Sequence, residues 1–221
     1  MHWIEFLDDK FWGIKEDTLT TTHPITCVIN KTDEAENVFD GISYGKGASF
    51  LKQVYNMLGR DIIMKGLEIY FSKHAWKNTE LPDFVGALNE AYLQYGNQAL
   101  GPDFDLADWS DQWLSTSGVN ILEPVVEFAA DGSITKLQIK QTCDLRGKNR
   151  LRKQKIDAAV FDEHFHPILI KDILLSDKEA LNDCVLTFDR PVSAIIINVN
   201  DHGYCKVRYD QKTLDSFVDN L

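Results

Sequence analysis

Along the first half of the chain, apolar residues recur every three or four positions, the period of a helix with one buried face. In DGISYGKGASFLKQVYNMLG (40–59) they are Ile42, Phe50, Leu51, Val54, Tyr55 and Leu58, and Gly59 is placed to end the helix. RDIIMKGLEIYFSKHAW continues with Ile62, Ile63, Leu67, Ile69, Tyr70 and Phe71. NTELPDFVGALNEAYLQYG (78–96) offers Thr79 as N-cap and Pro82 in the first turn, then buries Phe84, Val85, Leu88, Ala91 and Tyr92. DLADWSDQWLSTSG (105–118) predicts a short helix capped by Asp105, with Trp109, Trp113 and Leu114 inward and Gly118 at its end.

After Gly118 the pattern becomes that of strands. VVEFAADGSITKLQIKQ (125–141) reads as two strands about an Asp131-Gly132 turn. KIDAAVF (155–161), HPILIKDILL (166–175), DCVLTFD (183–189), SAIIINVN (193–200) and GYCKVRYD (203–210) follow, with turn signals between them. Short strands so punctuated predict a β-sandwich. QKTLDSFVDNL, at 211–221, spaces Leu214, Phe217 and Leu221 as the opening of another helix. The expected fold class is therefore α+β in two parts, changing regime within about three residues of Gly118.

Composition describes an ordinary folded chain: 221 residues, 44% hydrophobic and 26% charged. No apolar run approaches the roughly 18 residues of a membrane span, so no membrane partner is expected. The start, MHWIEFLDDKFW, is acidic where a signal peptide is basic. Cys27, Cys143, Cys184 and Cys205 are scattered without a C-x-x-C, which predicts buried free thiols in a reducing compartment and an intracellular, cytoplasmic location. The net charge of −11 argues against nucleic acid as a partner. It is concentrated in residues 1–118, with 18 acidic and 9 basic residues. RGKNRLRKQK (146–155) breaks the trend with six Lys or Arg, and reads as a solvated loop entering a strand, an anion contact being the alternative.

Most chemical signatures are absent. His164 and His166 share one face if EHFHP is extended, but two histidines fall short of a zinc centre, and an exposed strand end is the expected reading. Neither H-E-x-x-H nor G-x-S-x-G occurs, and Ser43 and Ser49 have no visible base. GKGAS (45–49) departs from a phosphate loop because Ala48 follows Gly47. HPI (23–25) reads as a turn into an extended run. FDGISYGKGASFL (39–51) stands out, because Gly41, Gly45 and Gly47 surround Tyr44 in a helical context. Each glycine costs about 1 kcal/mol relative to alanine in a helix. The backbone is therefore expected to pass close to something, with Tyr44 facing either a cleft or a core.

The order of these segments carries a resemblance. HPI (23–25), FDGISYGKGASFL (39–51), GLEIYFSKHAWKNTELPDFVGAL (66–88) and WSDQWLSTSGVNIL (109–122) together resemble the zinc aminopeptidases of the aminopeptidase N and puromycin-sensitive aminopeptidase family. WLSTSGVN looks most like the bacterial and protist branch, and NVNDHGYCKVRYD (198–210) is similar to the sequence after the family's catalytic domain. The resemblance spans nearly the whole chain. It implies that residues 1–118 are the helical second half of a thermolysin-like catalytic domain, lacking its zinc-binding part. Residues 119–210 would be the small antiparallel β-sandwich that follows, and 211–221 the start of a C-terminal helical domain. It also implies that Tyr44 is catalytic, its phenol donating a hydrogen bond to the substrate carbonyl oxygen as the tetrahedral intermediate forms. The glycines would let the backbone pack closely while Tyr44 faces the cleft, and Lys46 would support the segment rather than react.

In the resembled family, zinc is held by the two histidines of H-E-x-x-H and a later glutamate, the motif's own glutamate is the base, and a G-A-M-E-N-type segment grips the substrate amine. All of these lie upstream of HPI in family members, and the 22 residues before His23 contain none of them. Zinc is thus the family's cofactor, with no metal expected on this chain alone and no peptidase activity from it. Three readings follow: a piece of a longer zinc aminopeptidase, a metal-free paralogue serving as an interaction subunit, or one half of a split enzyme. Peptide substrates are expected where the zinc-bearing half is present, and another protein chain could cover the missing half. Tyr44 is expected on an open surface or groove.

Overall fold

The apolar period of the first half resolves into helices in the computed structural model, which describes residues 2–36, 38–143, 150–184, 188 and 190–220. Two units separate, Met1–Glu16 with Thr21–Ser117, and Asp17–Thr20 with Gly118–Leu221. The first contains α1 (His2–Glu16), α2 (Thr32–Glu36), a π-helical turn (Ile42–Lys46), α3 (Gly47–Leu58), α4 (Arg60–His74), α5 (Leu81–Tyr95) and α6 (Leu106–Leu114).

Phe50, Val54, Met57 and Leu58 form the buried stripe of α3. Leu51 and Tyr55, expected on that face, are exposed, since each stands one residue, about 100°, off the stripe. Gly59 ends α3 with a φ of 79°, which glycine adopts without strain. Helices α4 and α5 meet at Gly66, where a Cβ would stand 2.4 Å from Leu88 Cδ2. The N-cap of α5 is Glu80 rather than Thr79, because Glu80 and Asp83 form a reciprocal capping box. The Thr79 hydroxyl is instead bonded to Tyr70 Oη at 2.6 Å. Asp105 caps α6 as expected, accepting from the N–H groups of Ala107 and Asp108. Trp109 and Trp113 of α6 are buried, and Trp109 stacks on Phe50 at 5.4 Å between ring centroids.

In the second unit the first strand begins two residues beyond Gly118, so the change of regime falls where the periodicity places it. The strands are β1 (Asn120–Phe128), β2 (Ile134–Cys143), β3 (Gln154–Asp162), β4 (Pro167–Leu175), β5 (Leu181–Cys184), β6 (Val192–Ile197) and β7 (Cys205–Val207). They form two sheets, ordered β5-β2-β1-β7 and β4-β3-β6. Pairing is antiparallel except that β7 runs parallel to β1, so the larger sheet is mixed rather than purely antiparallel. Of the strand expected over 183–189, residues 185–187 and 189 lie outside the described residues. The sandwich core joins Leu122, Leu137 and Ile139 of one sheet to Ile156, Val160, Leu175 and Ile197 of the other. A closing helix, α7 (Gln211–Asn220), packs on β6, where Ser216 Oγ donates to Ser193 O at 2.6 Å.

A buried polar network lies at the entry to the sandwich. Gly118 N donates to Asp17 Oδ1 at 2.7 Å. Arg152, fully buried, donates through Nη1 to Gly118 O and Asn120 Oδ1, both at 2.8 Å. Its own N–H donates to Gln141 Oε1 at 3.2 Å. Burial pushes the guanidinium down to about 10, opposed by the charge of Asp17, so it stays protonated at neutral pH. The reading of 146–155 as a solvated loop is thereby corrected at Arg152, which is a core residue. Lys155 Nζ pairs with Asp172 at 2.6 Å, and residues 146–149 lie outside the described residues.

Replacing Arg152 by alanine strands buried acceptors and the Asp17 charge. Arg152→Ala is expected to lower stability by about 3–5 kcal/mol, as loss of one partner from a buried charged network does. The measurement is the urea midpoint at unchanged m-value.

Candidate functional site

Tyr44 lies in the π-turn, where Gly47 N–H reaches back five residues to the Ile42 carbonyl. Such turns insert one extra residue into a helical path and are frequent at functional sites. Asp40 organises its start. Asp40 Oδ1 accepts from the N–H of Ile42 at 2.9 Å and of Ser43 at 3.0 Å. The Asp40 carbonyl accepts from Tyr44 N–H at 3.1 Å. The other carboxylate oxygen, Oδ2, is 2.8 Å from His23 Nε2, and His23 Nδ1 is 2.8 Å from Pro24 O. Ser43 Oγ donates to Val38 O at 2.5 Å, and Ser49 Oγ to Gly45 O at 2.7 Å, so each serine hydroxyl is bonded to backbone.

Helix α1 closes on the inner side of the turn. The Glu16 carboxylate accepts from Trp12 Nε1 at 2.6 Å and from Gly41 N at 2.7 Å. A Cβ on Gly41 would stand 2.8 Å from Gly13 N, and one on Gly45 only 2.1 Å from Asp9 O. Close backbone approach thus accounts for two of the three glycines. Gly47 meets nothing within 4 Å, so its choice has no steric reason here. Lys46 is buried and donates through Nζ to Thr116 O at 2.7 Å, a supporting contact for the turn.

The Tyr44 side chain points the other way. It is 54% exposed and its ring lies 6.0 Å from that of Phe39, itself exposed. Tyr44 therefore stands on an open surface. A phenol is neutral at pH 7 and donates well. Held on a braced turn, it can meet an oxygen that gains negative charge during a reaction. The His23–Asp40 contact was not foreseen. The available signal was an aspartate placed directly before a Gly-Ile-Ser run, where it can cap, while the 17-residue separation from His23 hid the pairing.

His164 and His166 occupy the exposed turn between β3 and β4, and their backbone N–H groups both donate to Asp162 Oδ1 at 2.9 Å. Among the described residues no group of three or more His, Cys, Asp or Glu side chains gathers to hold a metal ion. These described side chains do not make up a zinc site.

The sequence resembles those of known proteins. Residues 2–113 match the peptidase family M1 domain. Aminopeptidase N of Streptomyces lividans is 33% identical, across 99% of this chain and 25% of its own length. Probable aminopeptidase 1 of Sulfurisphaera tokodaii is 28% identical, across 91% and 23%. Aminopeptidase M1 of Arabidopsis thaliana is 26% identical, across 94% and 23%. The chain belongs to peptidase family M1, within the group of aminopeptidase N relatives. It spans about a quarter of the length of these three relatives. No helix among the described residues is long and apolar enough to cross a membrane.

Two measurements check the geometry. Gly45→Ala is expected to destabilise at or above the upper end of the roughly 1–3 kcal/mol that overpacking costs. Gly47→Ala, with open space at its Cβ, should instead stabilise by about 0.5–1 kcal/mol. Thermal melts of the pair give opposite signs. Asp162 carries the second test. The backbone N–H groups of His166 and His164 hold its carboxyl below the ordinary 3.8. Its folded value is depressed, so its contribution is complete above 3.8 and is lost as pH falls through the lower folded value. The stability gap between wild type and Asp162→Asn should therefore be full near neutral pH and shrink in acid.

Proposed function

We propose that the chain supplies one wall of an aminopeptidase active site. In this reading Tyr44 donates a hydrogen bond to the scissile carbonyl oxygen of a peptide. As the carbonyl is attacked and its carbon becomes tetrahedral, that oxygen gains charge, and the phenol bonds the charged form more strongly than the neutral one. The observation that carries the reading is the exposed Tyr44 on a turn whose start is capped and whose inner side is filled by α1, in a chain of family M1. M1 aminopeptidases are in general zinc-dependent. The metal ligands, the base and the anchor for the substrate amine come, on this reading, from protein outside these 221 residues, either in a longer parent or on a partner chain. All four cysteines are free, which suits a cytoplasmic setting, but only Cys184 and Cys205 are buried, Cys143 being half-buried and Cys27 exposed on its loop.

A second reading, a metal-free interaction subunit, is favoured by the exposed aromatics Phe11, Phe39, Phe71 and Trp76. Detection of the natural protein at 25.2 kDa, rather than at several times that mass, would favour this reading.

The purified chain, given zinc and alanyl or leucyl chromogenic amides, is expected to show no chelator-sensitive turnover above Tyr44→Phe. In a complete zinc-loaded enzyme carrying this segment, Tyr44→Phe is expected to lower kcat by about 10²–10³, the usual loss for one oxyanion donor. An unchanged kcat there would remove the catalytic assignment.

A further inference from the structure

An oxyanion donor is useful only where it is held, and a π-turn is a weak holder by itself. Its ladder is brief, and Gly41 and Gly45 add backbone freedom. What anchors its start is Asp40. Three successive amides, those of Ile42, Ser43 and Tyr44, end on the carboxylate and carbonyl of that residue, which satisfies donors that a helix start leaves open.

A capping carboxylate can still rotate about its side-chain bonds unless its second oxygen is tied. At α6 the tie is neutral: Asn89 Nδ2 donates to Asp105 Oδ2 at 2.9 Å. At the π-turn the tie is His23, at 2.8 Å from Asp40 Oδ2. The imidazole is itself fixed, because its other nitrogen faces Pro24 O at 2.8 Å. A carbonyl and a carboxylate both only accept, so both contacts are hydrogen bonds when both ring nitrogens carry protons. The ring and carboxylate are 21% and 20% exposed, so the pair is only partly screened by water.

We propose that His23 and Asp40 form a positioning pair for Tyr44: the imidazole locks the carboxylate, the carboxylate locks the first amides of the π-turn, and the turn aims the phenol. The functional part of this proposal rests on the reading of Tyr44 as an oxyanion donor. Neither residue of the pair touches substrate in this scheme. Their effect is on where the phenol stands, and a displacement of about 1 Å in a catalytic group costs up to about 10²-fold in rate.

The test uses the 221-residue chain labelled with 3-fluorotyrosine and read by fluorine NMR. The chain has 7 tyrosines, and the Tyr44 line is the one lost in Tyr44→Phe. His23→Ala and Asp40→Ala are expected to shift and broaden the Tyr44 line while the remaining tyrosine lines hold. His23→Gln, which still offers an amide N–H to Asp40, should bring the line back toward wild type. A Tyr44 line unmoved in the folded alanine variants would overturn the pairing. So would lines that all move together with no recovery in His23→Gln. Should the alanine variants not fold, Asp40→Asn takes their place, since it keeps an oxygen for the two amides and weakens the tie to the imidazole. A Tyr44 line displaced in Asp40→Asn supports the proposal, and one identical to wild type overturns it.

Kinetics then separate this proposal from the function beneath it. In a complete enzyme, Tyr44→Phe without effect on kcat ends the oxyanion reading and leaves the fluorine result standing. A slow Tyr44→Phe beside a fully active His23→Ala ends the positioning role alone. The expected result is a His23→Ala enzyme with kcat lowered by about tenfold to a hundredfold and KM little changed.

Discussion

Gly45 allows the backbone of α1 to lie where any other residue would put a side chain. Its hypothetical Cβ would fall 2.1 Å from the Asp9 carbonyl oxygen, well inside van der Waals contact. The arrangement of the π-turn follows from that approach. With α1 filling the inner side, Gly41 N can reach Glu16 and the turn has one open direction left for a large side chain. Tyr44 takes it. The three-way bracing, α1 from within, Asp40 at the start and Lys46 toward Thr116, gives a short irregular segment the fixed geometry that a longer regular helix would have by itself.

The two units rely on different physics. In the helical unit, specificity comes from small residues at crossings, Gly45 under α1 and Gly66 under Leu88, and from stacked aromatics such as Phe50 on Trp109. The sandwich is built from interleaved aliphatic side chains of two sheets, with charged side chains such as Asp157 and Arg152 buried among them. Arg152 is fully buried, bonds the Gly118 carbonyl and the Asn120 amide oxygen, and is held charged by the field of Asp17. Apolar packing there could be denser, but it would not define where Gly118 and Asn120 lie relative to β3 in the way directional bonds do.

Much of this was readable from spacing. The helix-to-strand change near Gly118, the Asp131-Gly132 turn, the Asp105 cap and the Gly59 stop are all local, set by residues a few positions apart. What spacing could not show was non-local or irregular. A π-turn has no periodicity of its own, so 40–59 reads as one helix, and within α3 the apolar Leu51 and Tyr55 lie next to the buried stripe rather than on it. The Thr79 cap lost to Glu80 because Thr79 was needed by Tyr70 on another helix. The parallel pairing of β7 with β1 joins strands far apart in sequence. Arg152 looked like part of a surface run because charge is assumed to seek water, and only the fold supplies its buried acceptors. At the site, the three glycines around Tyr44 are visible in the local sequence, whereas His23 and Asp40 become partners only once the chain folds.

The extra residue of the π-turn also acts as a phase shifter. Along a regular helix each side chain is turned about 100° from the one before it, so the direction of one residue dictates that of all the others. A helix obliged to bury Phe50, Val54 and Met57 would then have no freedom in where it sends a residue one turn earlier. By inserting one residue between them, the chain offsets the azimuth of Tyr44 from the one a continuous helix would impose. The same turn can then bury Ile42 and Gly45 and still leave Tyr44 exposed while α3 buries Phe50, Val54 and Met57.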